Sequence, residues 1–208
     1  MLPVNNLQIV LIGAGGHAES CIDVIEKQGQ FQIVGLTDLP ARVGAEILGY
    51  RVLGSDEDLP RLAREHRHAL ICVGQIKSPD LRMSLFARAK ELGFALPTIV
   101  SPAASVSRHA VIRAGTIVMH GAIINAGARI GENCIINSRA LLEHGVIVGD
   151  HCHVATGAII NGNARLATGS FIGSGSVIKE GITLGERCIV GMGACVRHSL
   201  QDRARFTG

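Results

Sequence analysis

The chain has 208 residues, 47% of them hydrophobic, enough for a sizeable core in at most two small domains. Twenty basic residues against 17 acidic give a net charge of +3 with no Lys/Arg block, which argues against nucleic acid as a partner. The six cysteines (Cys21, Cys72, Cys134, Cys152, Cys188, Cys195) form no CxxC pair, so neither a zinc ribbon nor a dense disulfide scaffold is expected.

No apolar run reaches the length of a membrane span, and the N-terminus lacks the basic-then-apolar order of a secretory leader. The expectation is a cytoplasmic protein without membrane insertion. Glycine is frequent, at 26 residues, and aromatics make up only 3%. The core must therefore be built from aliphatic and small side chains.

Residues 7–12 (Leu-Gln-Ile-Val-Leu-Ile) read as a buried strand running into Gly13-Ala14-Gly15-Gly16-His17. A helix follows, with Cys21, Ile22 and Ile25 on one side, and ends near Gly29. Residues 31–36 form a second strand, closed by Thr37-Asp38. Residues 50–53 read as a short edge strand, 56–66 as a helix, 69–73 as a third core strand and 74–78 as a loop. Pro79 opens a helix to about Leu92, residues 94–100 return toward the second half, and Ser101-Pro102 is the junction. Strands alternating with helices imply a parallel sheet.

The glycine-rich turn presents backbone N–H groups at a helix N-terminus, which suits a phosphate. Gly13, Gly15 and Ala18 also satisfy the loose dinucleotide pattern, but about 100 residues suit one nucleotide better than NAD. Close helix–strand packing is the other reading of these glycines. Asp38 ends the second strand where a ribose or base contact falls, or is simply a solvated loop acid.

The second half repeats every six residues. From Val106 to Val196, all sixteen positions of one register are Val, Ile or Leu, and the residue two earlier is mostly small. Short flat strands with sharp corners follow, the aliphatic residue pointing inward. Three hexads make one coil, so an 18-residue step stacks Cys134 on Cys152 as core fillers. Gly131, Gly149, Gly173, Gly185 and Gly191, each following an inward residue, are expected at positive φ.

This pattern resembles the left-handed parallel β-helix of the hexapeptide-repeat acyltransferases. Its left hand is implied by the resemblance. The fold class expected is a small α/β, Rossmann-like N-terminal domain over residues 1–100, then a left-handed β-helix with a short tail over residues 101–208. Gly13-Ala14-Gly15-Gly16-His17-Ala18, Ile136-Asn137-Ser138, Glu143-His144, Gly149-Asp150, His153 and Gly157-Ala158 together resemble the nucleotide-sugar and sialic acid acyltransferases.

The resemblance implies acetyl-CoA as co-substrate, a homotrimer with sites between chains, and a nucleotide-linked sugar acceptor, as in surface polysaccharide biosynthesis. It makes His144 the general base, Asn137 a residue near the substrate, and His153 a neighbour of the thioester or substrate. Gly162, Ser174 and Met192 fall along the CoA groove. Gly13, Gly15, Gly16, His17 and Asp38 hold the acceptor's nucleotide.

Two positions depart from the family. Gly145 stands where an acid usually follows the catalytic histidine, leaving Glu143 as the carboxylate nearest in sequence. Thr156 stands in place of a proline. The attacking group is an amine, or alternatively a sugar or sialic acid hydroxyl. No nucleophilic Ser or Cys is needed, because CoA already carries an activated acyl group. A zinc site built on His109, His120, His144, His151 and His153, a noncatalytic trimeric sugar-binding protein, and a nucleotidylyltransferase with a β-helical tail are the other classes. The expectation is that no metal is required.

Overall fold

The computed structural model describes residues 7–208. The first residues of the segment read above as lacking a leader lie outside that range. A five-stranded sheet runs in the order β3 (Glu46–Ile47), β4 (Tyr50–Gly54), β2 (Phe31–Thr37), β1 (Leu7–Ile12) and β5 (His68–Ile71), with β1 one place inside an edge. Strand β1 pairs in parallel with β2 and β5. Strand β4 pairs in parallel with β2 and antiparallel with the two-residue β3. The expected edge strand is thus one place inside the edge. Two residues of β3 leave no periodicity to read.

Helix α1 (Gly16–Gln28) covers one face of the sheet. Helix α2 (Leu59–Glu65) follows a 3₁₀ turn at Asp56–Asp58, where one helix over 56–66 was expected. The turn comes first because Ser55 accepts from Glu57 N and Asp58 Oδ2 accepts from Ser55 N, with Pro60 opening the α-helix behind it. Helix α3 (Asp80–Glu91) starts one residue after Pro79.

From Ile99 the chain winds as a three-sided prism of two-residue parallel strands. The first face runs from Ile99–Val100 through Ile117–Val118, Ile135–Ile136, His153–Val154, Phe171–Ile172 and Ile189–Val190 to Arg205–Phe206. The second runs from Ser105–Val106 to Cys195–Val196, and the third from Val111–Ile112 to Thr183–Leu184. Each pairing advances 18 residues, as Ile135↔His153 and Leu141↔Ile159 do, until the last step on the first face.

The second residue of each strand points inward. With Ala122, Ala128, Cys134, Ala140, Cys152 and their repeats, these residues form one continuous aliphatic core. Thr116 and Ser170, buried at the small positions, donate to Gly131 O and Gly185 O one coil on.

The glycine expectation needs correction. Positive φ recurs at every sixth residue from Gly115 to Gly193. Gly131, Gly149, Gly173, Gly185 and Gly191 are not among these positions. Their constraint is the next coil: a Cβ on Gly173 would lie 2.5 Å from Gly191 C and Met192 N. The left-handed corner is Gly145 (φ +67°) on one coil and Asn163 (φ +60°) on the next.

The first face carries the α/β unit. Its outward Ile99, Ile117 and Ile135 are fully buried with Cys21, Val24 and Ile25 of α1. Each contributes about 1.5–3 kcal/mol of burial. Polar bonds fix the orientation. Arg82 of α3, almost wholly buried, donates to Ile71 O (2.9 Å) and Val73 O (2.6 Å). It also reaches Asn133 Oδ1 (2.7 Å) on a prism corner. On the other side, Asp23 of α1 accepts from His120 Nε2 (2.7 Å), and His120 Nδ1 meets Ser101 Oγ.

Candidate active site

A cleft of about 700 Å³ opens where the α/β unit meets the first face. It is lined by Gly13, Gly15, Gly16, His17 and Asp38, and also by Asn137 and His153 of the prism. Gly13 (φ +106°) turns the chain out of β1, and a Cβ there would lie 2.6 Å from Val73 Cγ2. Around Gly15 and Gly16, by contrast, a Cβ would meet nothing within 4 Å. Those two glycines border open space instead of relieving a packing clash. Gly15 is the N-cap of α1 and supplies no capping side chain, so first-turn N–H groups are left for an anion.

Asp38 is not a free acid. Its Oδ2 pairs with Arg42 Nη1 at 2.9 Å, and its Oδ1 accepts from Leu39 N at 2.8 Å. Arg42 also reaches Ala14 O (2.8 Å), tying the second strand's end to the glycine turn. Sequence reasoning missed Arg42. Its spacing of four from Asp38, across a 3₁₀ turn (Pro40–Arg42), was the available signal.

His153 is buried beneath residue 75, and desolvation pushes its pKa down to about 4. The ring is then neutral: Nδ1–H donates to Gln75 O (2.6 Å), leaving Nε2 to accept from Asn137 Nδ2 (3.2 Å). Asn137 Oδ1 accepts from Ser138 N. Gln75, also missed, donates from Nε2 to His151 O (3.0 Å) and seals the loop onto the prism. His17 stands with its ring centroid 6.5 Å from that of His153, and its buried Nε2 has no partner among the described residues.

His144 lies elsewhere, at the corner between the second and third faces. Its side chain is 68% exposed, in a shallow depression shared with Glu143, Asn161, Gly162 and Glu180. Although neighbours on a strand point oppositely, residues 143–145 form a corner, and Glu143 Oε2 comes to 3.6 Å from His144 Nδ1. That carboxylate is held by Asn125 Nδ2 (3.0 Å) and His144 N (3.3 Å). The imidazole rests over Gly162, where a Cβ would lie 2.6 Å from His144 Cε1.

Ser174 and Met192 stack on successive coils at the corner between the first and second faces, where Gly193 N donates to Ser174 O (2.9 Å). The structure of one chain thus gathers Asn137 and His153 with the residues of the glycine turn. It places Glu143, His144 and Gly162 at the corner between the second and third faces, and Ser174 and Met192 on later coils of the corner that Asn137 opens. Among the described residues no group of three or more metal-ligating side chains converges.

The PglD N-terminal domain family matches residues 8–88. The bacterial transferase hexapeptide family matches residues 109–144 and 127–162, and the hexapeptide repeat of succinyl-transferase matches residues 168–197. No curated protein matches the sequence. Among solved structures, a variant of perosamine N-acetyltransferase from Caulobacter crescentus, in complex with CoA and GDP-perosamine, is 30% identical, with a TM-score of 0.74. That match covers 95% of this chain and 92% of the other.

The chain belongs to the hexapeptide-repeat acyltransferases of nucleotide-linked amino sugars. The acetyltransferase domain of PglB from Neisseria gonorrhoeae, in complex with acetyl coenzyme A, is similar to this acyltransferase over 96% of its length and 95% of the other chain. Its identity is 29% and its TM-score 0.89. WeeI from Acinetobacter baumannii, 24% identical and covering 98% and 97%, shares the fold with a TM-score of 0.88.

Proposed function

We propose that this acyltransferase moves an acetyl group from acetyl-CoA to the amino group of a nucleotide-linked sugar. The observation that carries the reading is the open space at Gly15 and Gly16, before an uncapped helix N-terminus and beside a fixed neutral His153–Asn137 pair. A sugar nucleotide's diphosphate fits the helix end, its nucleoside faces Asp38 and Arg42, and its sugar points toward the prism. His17 Nε2, buried without a partner among the described residues, is free to meet it.

His144 is the general base. Its imidazole takes the proton of the attacking nitrogen as the new C–N bond forms. The tetrahedral intermediate then collapses, the C–S bond breaks, and the proton is passed to the CoA thiolate. Glu143 orients the ring through Nδ1. Gly162 leaves room for the ring, and Ser174 and Met192 border the coenzyme's path.

His144 and the cleft occupy different sides of one chain, so the reading requires His144 of one subunit to meet the cleft of another. An apolar stripe on the second face supports a trimer: Ile123 is 42% exposed, and Leu141, Ile159 and Val177 are half-buried. We place the enzyme in the cytoplasm. Its six unpaired cysteines, five of them buried, agree with a reducing compartment. No helix among the described residues is long and apolar enough to cross a membrane.

The test is acetyl-CoA consumption with a panel of nucleotide-linked amino sugars, the corresponding hydroxy sugars and free sialic acids. Turnover confined to amino sugars is expected. Turnover only with hydroxyl acceptors would overturn the choice of nitrogen.

A further inference from the structure

A second pocket, about 290 Å³, adjoins the main cleft, and Gln75 and Ile76 line both. Four cations surround it: Lys77 from the loop before α3, and Arg187, Arg203 and Arg205 from the last coils. One carboxylate opposes them. Asp80 pairs with Arg187 (2.6 Å) and is held below the usual carboxylate range by Ser78 and Arg187, with a smaller contribution from Arg203. Lys77, Arg203 and Arg205 have no carboxylate within salt-bridge distance among the described residues. The concavity therefore carries an unbalanced positive charge.

Its floor is apolar. Phe171 and Ile189 are the outward residues of the first face just beyond His153, where cover by the α/β unit ends. Phe171 packs edge-on against His153, with ring centroids 5.2 Å apart.

The conformation of two of the arginines adds a separate reason. Arg187 (φ +55°) and Arg203 (φ +60°) occupy left-handed corners, positions held mostly by glycine elsewhere in the prism. An arginine there carries a backbone cost that glycine does not. A long cation at two stacked corners is the opposite of what turn geometry favours, and both guanidinium groups line the same pocket.

We infer that this pocket is a second anion subsite, which seats a nucleotide phosphate group over the Phe171–Ile189 floor. The inference rests on the acetyl-transfer reading only for which nucleotide supplies the phosphate. The volume suits a phosphate with an adjoining ribose and is small for a whole coenzyme. Arginine pairs with phosphate through two parallel N–H donors.

The experiment compares the wild-type chain with Arg203→Gln/Arg205→Gln, two exposed side chains outside the core, and with Arg64→Gln on the remote α2 as a control. Calorimetric titration with adenosine 3′,5′-bisphosphate and with pyrophosphate reads the pocket without turnover. At least one of these probes should bind the wild type and the control, and should bind the double variant at least tenfold more weakly. Equal affinity in all three chains, or no binding of either probe to the wild type, would overturn the subsite.

Steady-state kinetics then names the source. A KM for acetyl-CoA raised at least tenfold, with no such rise for 3′-dephospho-CoA, assigns the coenzyme's 3′-phosphate. A matching rise in KM for the sugar nucleotide assigns its diphosphate to this pocket and overturns its placement at the α1 helix end. A wild type that binds the probes yet transfers no acetyl group would keep the subsite and reject the acetyl-transfer reading.

Discussion

At the corner that carries the proposed base, Glu143 and Gly145 are constrained in different ways. Glu143 faces His144 Nδ1 at 3.6 Å, long for a hydrogen bond, a gap that substrate binding commonly closes. Gly145 cannot supply the missing acid. It sits at φ +67°, and a side chain there would run into Asn163 Oδ1. Glu143→Gln should therefore lower kcat by roughly tenfold to a hundredfold with little change in either KM. Gly145→Asp should not raise it. A Glu143→Gln enzyme with wild-type kcat would show that no carboxylate orients this ring.

His153 gives a pH dependence of stability. Its native pKa of about 4 lies below the ordinary histidine value of 6.5, because burial disfavours the imidazolium. Between these two pH values the unfolded chain takes up a proton that the native chain refuses. Stability present above pH 6.5 is thus lost as pH falls toward 4, on the order of 3 kcal/mol in all. Urea unfolding at pH 7 and pH 4.5 should show a smaller loss for His153→Gln than for the wild type. Equal losses would mean that His153 titrates normally.

At the scale of elements, the prism's glycines divide into two kinds. Gly193 has φ +68° and nothing within 4 Å of its missing Cβ, so it serves the turn alone. Gly173 has ordinary φ and touches the next coil's backbone. Asparagine tolerates the left-handed region but not lost space. Gly193→Asn should change stability by less than about 1 kcal/mol, and Gly173→Asn should cost about 1–3 kcal/mol or more. Thermal melts of the pair check this, and equal effects would contradict it.

The same division explains how much was legible. Inward residues such as Leu142 and Val154 were readable because burial selects bulk at a fixed period. The two glycine sets share a period at different phases, and composition does not encode which phase needs positive φ and which needs close approach to the next coil. In the α/β unit, strong apolar runs such as 7–12 were plain, whereas the two-residue β3 carried no pattern. At the cleft, the glycine turn and Asp38 were visible as motifs. Arg42 and Gln75 were not, because their contacts depend on a 3₁₀ turn and on docking against the prism. Glu143 was named from adjacency, but only the corner shows how its carboxylate returns to the ring.

At the scale of the whole molecule, the α/β unit is fixed to the first face by buried isoleucines, by Arg82 reaching Asn133 and by Asp23 accepting from His120. The cleft therefore cannot swing round to His144 of its own chain. The proposed reading needs active sites shared between subunits, and it predicts complementation. A Gly15→Val chain, its cleft blocked, and a His144→Ala chain should each be inactive alone. Co-refolded in equal amounts as trimers, they should recover about a quarter of wild-type activity, because random association gives that share of sites an intact cleft and an intact His144. No recovery in trimers shown to be mixed would place both groups in one chain.

The central claim, general-base acetyl transfer by His144, is tested most directly by kcat of His144→Ala at saturating acetyl-CoA and amino-sugar nucleotide. The account predicts a fall of roughly 10²–10⁴-fold with both KM values little changed, since the imidazole acts on a proton in the transition state and holds neither substrate. A variant that keeps most of the wild-type kcat would contradict it.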